Sequence, residues 1–130
     1  MDTLKRTSDK VLYPELSYAL QGAFYEVYNI LGPGFREETY RQALMQELRL
    51  RGIPFETEKY YDIPYKSGIA DRYRADFVID DKIIVELKAV VAMPPHFEAY
   101  LMSYLRASKL RVGYLANFGA AKFQMERRIV

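Results

Sequence analysis

Three side chains in the segment RADFVIDDKIIVELK (residues 74–88) could do chemistry together: Asp76, Glu86 and Lys88. Two carboxylates and an ammonium group held side by side are what metal-dependent cutting of a phosphodiester requires. The flanking residues suggest how they would meet. FVI and KIIVEL are apolar, β-branched runs on either side of an Asp80-Asp81 turn signal, the usual mark of a hairpin. A three-residue loop of Asp80, Asp81 and Lys82 pairs Ile79 with Ile83 and, counted back, sets Asp76 opposite Glu86 at about 5 Å between Cβ atoms. Lys88, two residues on, shares their face. Adjacent carboxylates repel, so keeping both ionised calls for a cation, and hard oxygen donors suit Mg²⁺ or Mn²⁺. The same alternation is also what any half-buried strand shows, and a two-residue turn would part the carboxylates onto opposite faces.

The elements that must position these residues follow from periodicity and punctuation. Residues 1–13 are polar and aperiodic and read as a loose N-terminal arm, with 14–130 as one domain. A helix starting at Pro14-Glu15 carries Leu16, Leu20, Ala23, Phe24, Val27, Ile30 and Leu31 on one face and stops at Gly32-Pro33-Gly34. A second is expected over Glu37–Leu50, ended by Gly52 and Pro54. Phe55–Tyr65 is strand-like but interrupted by Pro64, as in an edge or curved strand. The hairpin, expected over Tyr73–Val90, follows. After Pro94-Pro95, helical spacing returns at Phe97, Leu101, Tyr104 and Leu105, then a strand over Val112–Phe118 and one more from the tail at Lys122–Val130. This order predicts an α/β fold with a mixed central sheet flanked by helices.

Composition removes other chemistries. No cysteine among 130 residues excludes disulfides, thiolate zinc sites and cysteine nucleophiles, and a single histidine excludes a His-rich metal site. The formal net charge of +2 means that any basic patch for a polyanion must be local. Twelve tyrosines against seven phenylalanines supply many rings with a polar tip, most of them explicable as core-edge packing. No run approaches a membrane span and the first residues lack a signal-peptide core, so a cytoplasmic location is the expectation.

At GPGFREETY, Gly34, Glu37 and Tyr40 match the Gly-x-x-Glu-x-x-Tyr signature of the GxxExxY protein family, and LRLRGIPFE, YRADFVIDDKIIVELKAV and LRVGYLANFG resemble its other blocks. That family is similar to the PD-(D/E)XK nuclease superfamily. The resemblance implies a restriction-endonuclease-like αβββαβ core and a Mg²⁺ or Mn²⁺ site. It assigns catalytic parts to Glu37, Asp76, Glu86 and Lys88, and metal-holding parts to Asp76, Glu86, the Leu87 backbone carbonyl and Glu37. Tyr40 and Tyr100 would support the site. Tyr100 stands where a Q-x-x-x-Y run would place glutamine, the departure here being YLMSY. Glu38 competes with Glu37, since either acid suits a helix's first turn. His96, near the start of the third helix, reads as a capping or packing residue.

Arg72, Arg74 and Arg106, with Lys109 and Arg111, could form a phosphate-contacting rim, or each could lie on a solvated charged face. The function expected is Mg²⁺-dependent hydrolysis of nucleic acid, DNA or RNA. The alternatives are a nuclease-fold module that binds nucleic acid or protein without turnover, and a small subunit or homo-oligomer completed by a partner.

Overall fold

A computed structural model describes residues 12–130. All but the last two residues of the expected N-terminal arm lie outside the described residues. Leu12 and Tyr13 pack against the main core, and Arg127 donates to the Leu12 carbonyl at 2.7 Å.

Helix α1 spans Pro14–Leu31 and α2 spans Glu37–Leu50, followed by β1 Phe55–Tyr65, β2 Gly68–Ile79 and β3 Ile83–Lys88. Helix α3 (His96–Ser108) leads to β4 Val112–Asn117 and β5 Gln124–Ile129. The five strands form one sheet in chain order. β3 and β4 are parallel and joined through α3, and the other neighbours are antiparallel. Helix, three strands, helix, strand is the αβββαβ core that the sequence led us to expect, with α1 and β5 added at its ends.

The helices divide the sheet's two faces between them. α1 and α2 send Leu20, Phe24, Leu44 and Leu48 onto one face, against Phe77, Ile83, Val85 and Tyr114. α3 sends Leu101 and Leu105 onto the other, against Ala75, Val78, Ile84 and Leu115. Alternation along β3 serves both: Ile83, Val85 and Leu87 face α1 and α2, while Ile84 faces α3.

The β1–β2 ribbon does not keep one face throughout. Phe55, Phe77 and Ile79 join the α1/α2 core, whereas Tyr61, Tyr73 and Ala75, also at odd positions, join the α3 side. Between these halves Glu58 adopts φ +55°, and the ladder pairs Thr57 with Phe77 and Lys59 with Ala75 but leaves Glu58 and Asp76 unpaired. The ribbon therefore rolls over at Asp76. A second irregularity falls at Ile63/Pro64, where Pro64 lacks the N–H a ladder needs.

Candidate functional site

The hairpin register is the expected one. Ile79 pairs with Ile83, Val78 with Ile84 and Phe77 with Val85, around a loop in which Asp80 and Asp81 take φ +50° and +56°. Pairing then stops one step short of Asp76 and Glu86, because the roll at Asp76 lifts β2 out of the ladder. The Asp76 side chain fills the gap: its Oδ2 accepts the Leu87 N–H at 2.9 Å, and the Asp76 N–H reaches Glu86 Oε2 at 3.5 Å. The two carboxylates are thus brought together by a break in the ladder rather than as a regular cross-strand pair.

Glu86 is 7 % exposed on the α3 side of β3. Its Oε2 takes a short hydrogen bond from the Tyr73 hydroxyl, and its other oxygen has no hydrogen-bond partner among the described residues. No Lys or Arg among the described residues is ion-paired with it. Burial and, next, repulsion from Asp76 push its carboxyl up to about 8, against opposing help from Tyr73 and Lys88. Tyr73 responds in kind, its phenol raised far above the usual range by burial and then by the Glu86 charge. Its ring stacks on Tyr104 at 3.7 Å, which fixes the hydroxyl's aim.

Lys88 follows Glu86 on the same face, its Nζ 4.6 Å above the Phe97 ring of α3. Leu87 turns its N–H toward Asp76, and within a strand a residue's C=O points the same way as its N–H, so that carbonyl also faces Asp76. The next carbonyl, of Lys88, points oppositely and accepts from Phe118 N at 2.9 Å.

Glu37 opens α2. Desolvation and then Asp76 raise its carboxyl's proton affinity, and Lys88 and Arg41 oppose them, so its field partners are those of the site. Glu38 instead binds its own helix, through Gln42 at 2.8 Å and Arg41 at 3.1 Å. The structure therefore separates two acids that spacing left equivalent. Tyr40 lies fully buried with its ring stacked on Phe118, its hydroxyl donating to the Gly32 carbonyl at 2.5 Å and accepting from Phe35 N at 3.2 Å. It ties down the turn that aims Glu37, a turn in which Gly34 takes φ +111°. Tyr100 is 52 % exposed and, with Glu86, Lys88, Phe97 and Tyr104, lines a shallow cleft beneath α3. His96 packs edge-on against Phe97 and Tyr100.

The expected basic rim divides. Arg74 pairs with Glu58 at 3.6 Å, beside the site. Arg72 is engaged farther along the ribbon by Asp62 and Tyr60, Arg106 by Ser103 on its own helix, and Arg111 by the Val130 carbonyl.

Besides Tyr73, two further contributors were not anticipated. Arg41, with its side chain 14 % exposed, sits 3.8 Å from Asp76 Oδ1 and 3.9 Å from Glu58; its place four residues after Glu37, on the same helical face, was a usable signal. Asn117, fully buried at the end of β4, bonds Val90 N and O, Gly119 N and Gln124 Oε1 at 2.8–3.0 Å. This clamp fixes the chain where it leaves β3 past Lys88. A Cβ on Gly119 would lie 2.5 Å from the Ala89 carbonyl carbon, so the clamp closes only over glycine.

A model of the PD-(D/E)XK nuclease superfamily matches residues 14–129. The chain belongs to that superfamily. Among solved structures, SSO0001 superimposes with a TM-score of 0.55 at 18 % identity over 71 % of this chain and 48 % of its own. The alkaline exonuclease LHK-Exo from Laribacter hongkongensis gives 0.53 at 10 % identity over 71 % and 54 %. These likenesses establish a shared nuclease fold, and the chain spans about half the length of each. No curated protein matches.

Members of the PD-(D/E)XK superfamily generally use divalent metal ions. In this chain the donors fit one in kind: Asp76 Oδ1, the free Glu86 oxygen and the Leu87 carbonyl are all hard oxygens. Among the described residues no three His, Cys, Asp or Glu side chains are gathered into a metal-holding group, so the carboxylate pair stands with Glu37 outside it.

Proposed function

We propose that this PD-(D/E)XK protein, of the GxxExxY kind, is a nuclease that uses Mg²⁺ or Mn²⁺ to hydrolyse phosphodiester bonds of DNA or RNA. The observation that carries the reading is Glu86: a buried carboxylate, set against a second carboxylate, with one oxygen unused and no ion-paired cation among the described residues. Burying such a group in its charged form has a high cost, which the metal-free chain relieves by holding a proton and a bound cation would relieve instead.

Asp76, Glu86 and the Leu87 carbonyl would hold the cation, with Glu37 reaching it through water. When bound, the cation supplies Lewis acidity, lowering the pKa of water and offsetting charge on the phosphate. Lys88 positions the attacking water and takes part of the charge that develops on phosphate oxygen. Tyr73 orients Glu86 through its hydroxyl, and Tyr40 and Tyr100 act as supporting residues. Arg74 holds a neighbouring phosphate of the strand, with Arg72 and Arg106 as outer contacts. The domain is taken as 14–130, working in the cytoplasm as a homo-oligomer or with a protein partner.

Labelled single- and double-stranded DNA and RNA, incubated with Mg²⁺ or Mn²⁺, test the proposal. Cleavage should appear with wild type and vanish with Asp76→Ala and Glu86→Ala; equal residual activity in the variants would sink it. One observation favours a second reading, a nuclease-fold module that binds without cutting: Arg41 already neutralises Asp76 at 3.8 Å. Metal binding by calorimetry with no cleavage of any substrate would select it.

A further inference from the structure

Beside the carboxylate pair the protein has assembled rings. Tyr61 stacks on Tyr73 (6.3 Å, 20°), Tyr73 on Tyr104 (3.7 Å, 8°), Tyr104 leans on Tyr100 (6.4 Å, 36°), and His96 meets Tyr100 edge-on. The series begins on the ribbon, passes over Glu86 and emerges at solvent: Tyr73 is buried, Tyr104 half-buried and Tyr100 exposed. Where it emerges, the cleft under α3 is lined by Glu86 and Lys88 together with Phe97, Tyr100 and Tyr104. Charged groups and aromatic rings therefore share one opening. Core packing explains Tyr73; it does not explain a large ring left 52 % exposed at the mouth of a cleft that contains Glu86.

The ligand whose chemistry matches both parts has a charged phosphate at one end and a flat π surface at the other, which is a nucleotide. A base in a duplex is covered on both faces by its neighbours and paired at its edge, and extracting it costs a few kcal/mol. A base in a single strand offers its face at little cost, and stacking on protein aromatics is the usual way such strands are held. We propose that an unpaired base stacks on Tyr100 at the mouth of this cleft while the adjoining phosphate lies at Lys88, so that the preferred ligand is single-stranded nucleic acid or a frayed duplex end. The inference deepens the nuclease reading and rests on it for the placement of the phosphate.

Binding is measured apart from turnover, by fluorescence anisotropy of a labelled oligonucleotide, as DNA and as RNA, single-stranded or annealed to its complement, with Ca²⁺ replacing Mg²⁺. The single strand is expected to bind at least about tenfold more tightly than the duplex, and Tyr100→Ala to remove about tenfold of that affinity. Tyr100→Phe, which keeps the ring, retains it. Tyr65→Ala removes a tyrosine 63 % exposed at the far end of β1 and controls for loss of any surface ring; it should leave affinity unchanged. Equal binding of strand and duplex, or a Tyr100→Ala variant as tight as wild type, overturns the inference. Asp76-dependent cleavage of duplex and strand alike would overturn it while leaving the nuclease reading intact, and strand-selective binding through Tyr100 without cleavage would do the reverse.

Discussion

The two faces of the sheet are covered differently, and β3 belongs to both. On the α1/α2 face, two helices enclose a dry layer in which Phe24, Leu44, Phe77 and Tyr114 are wholly buried. On the opposite face a single helix, α3, covers less, and the next positions along β3 after Ile84 are Glu86 and Lys88. The one-helix face can accept a buried carboxylate because the other face holds the sheet. On the proposed reading, the alternation of one six-residue strand gives Ile83, Val85 and Leu87 to packing and Glu86 and Lys88 to the site, with Glu37 reaching it from α2.

If that division is right, changes on the two faces should fail in opposite ways. Glu86→Gln keeps volume and hydrogen bonding but removes the charge, and should lower metal-dependent cleavage by about a thousandfold, the several kcal/mol a cation contributes. Its urea midpoint should be no lower than wild type at neutral pH, since wild type must take up a proton at Glu86 to fold and the amide need not. Phe24→Ala, which leaves a cavity beneath Tyr114 and Phe118, should cost about 3–5 kcal/mol of unfolding free energy. At a temperature where that variant is still folded, its metal affinity by calorimetry should stay near wild type. A Glu86→Gln protein that unfolds as readily as Phe24→Ala would abolish the comparison.

The pH dependence sharpens it. Glu86 titrates near 8 in the folded chain and near 4.5 when unfolded, so the folded form holds the proton more tightly. Its contribution to stability without metal is complete at low pH and is lost as pH rises through about 8. Metal affinity has the opposite slope, because the ion must displace that proton: Mn²⁺ binding should strengthen by about tenfold per unit up to about pH 8, then level. Urea midpoints and calorimetry across pH 5–9 check both, against Glu86→Gln, in which this component of each slope should vanish. Parallel slopes in wild type would mean that no ion competes with the proton at Glu86.

Much of this design is legible along the chain, and the remainder is not for an identifiable reason. The bounds of α2, the start of α1 at Pro14 and the loop register at Asp80–Lys82 follow from local periodicity and from Gly and Pro. β2, however, begins at Gly68 rather than Tyr73, because residues 68–72 (GIADR) are all exposed, lack a strand's polar/apolar alternation and become a strand only by pairing with β1. The same limit applies at the site. Asp76, Glu86 and Lys88 announce themselves by type and spacing, but the roll at Glu58 that carries Asp76 out of the ladder is tertiary. So are the preference for Glu37 over Glu38, and the approach of Arg41, Tyr73 and Asn117.

Tyr73 gives the smallest and most discriminating prediction. It belongs to the α3-side cluster by its ring and to the carboxylate pair by its hydroxyl, and Tyr73→Phe separates the two. The ring still stacks on Tyr104, so the stability change should stay within the roughly 0.5–1.5 kcal/mol of one hydrogen bond. The hydroxyl's bond helps to hold Glu86 ionised, so its loss drives the carboxyl's proton affinity higher still and moves the rise of Mn²⁺ affinity to higher pH. At neutral pH that should appear as about tenfold weaker Mn²⁺ binding, the lower end of what an outer partner of a metal ligand is worth. An unshifted pH profile in a stably folded Tyr73→Phe protein would reduce Tyr73 to packing, and would leave burial and Asp76 alone to set the properties of Glu86.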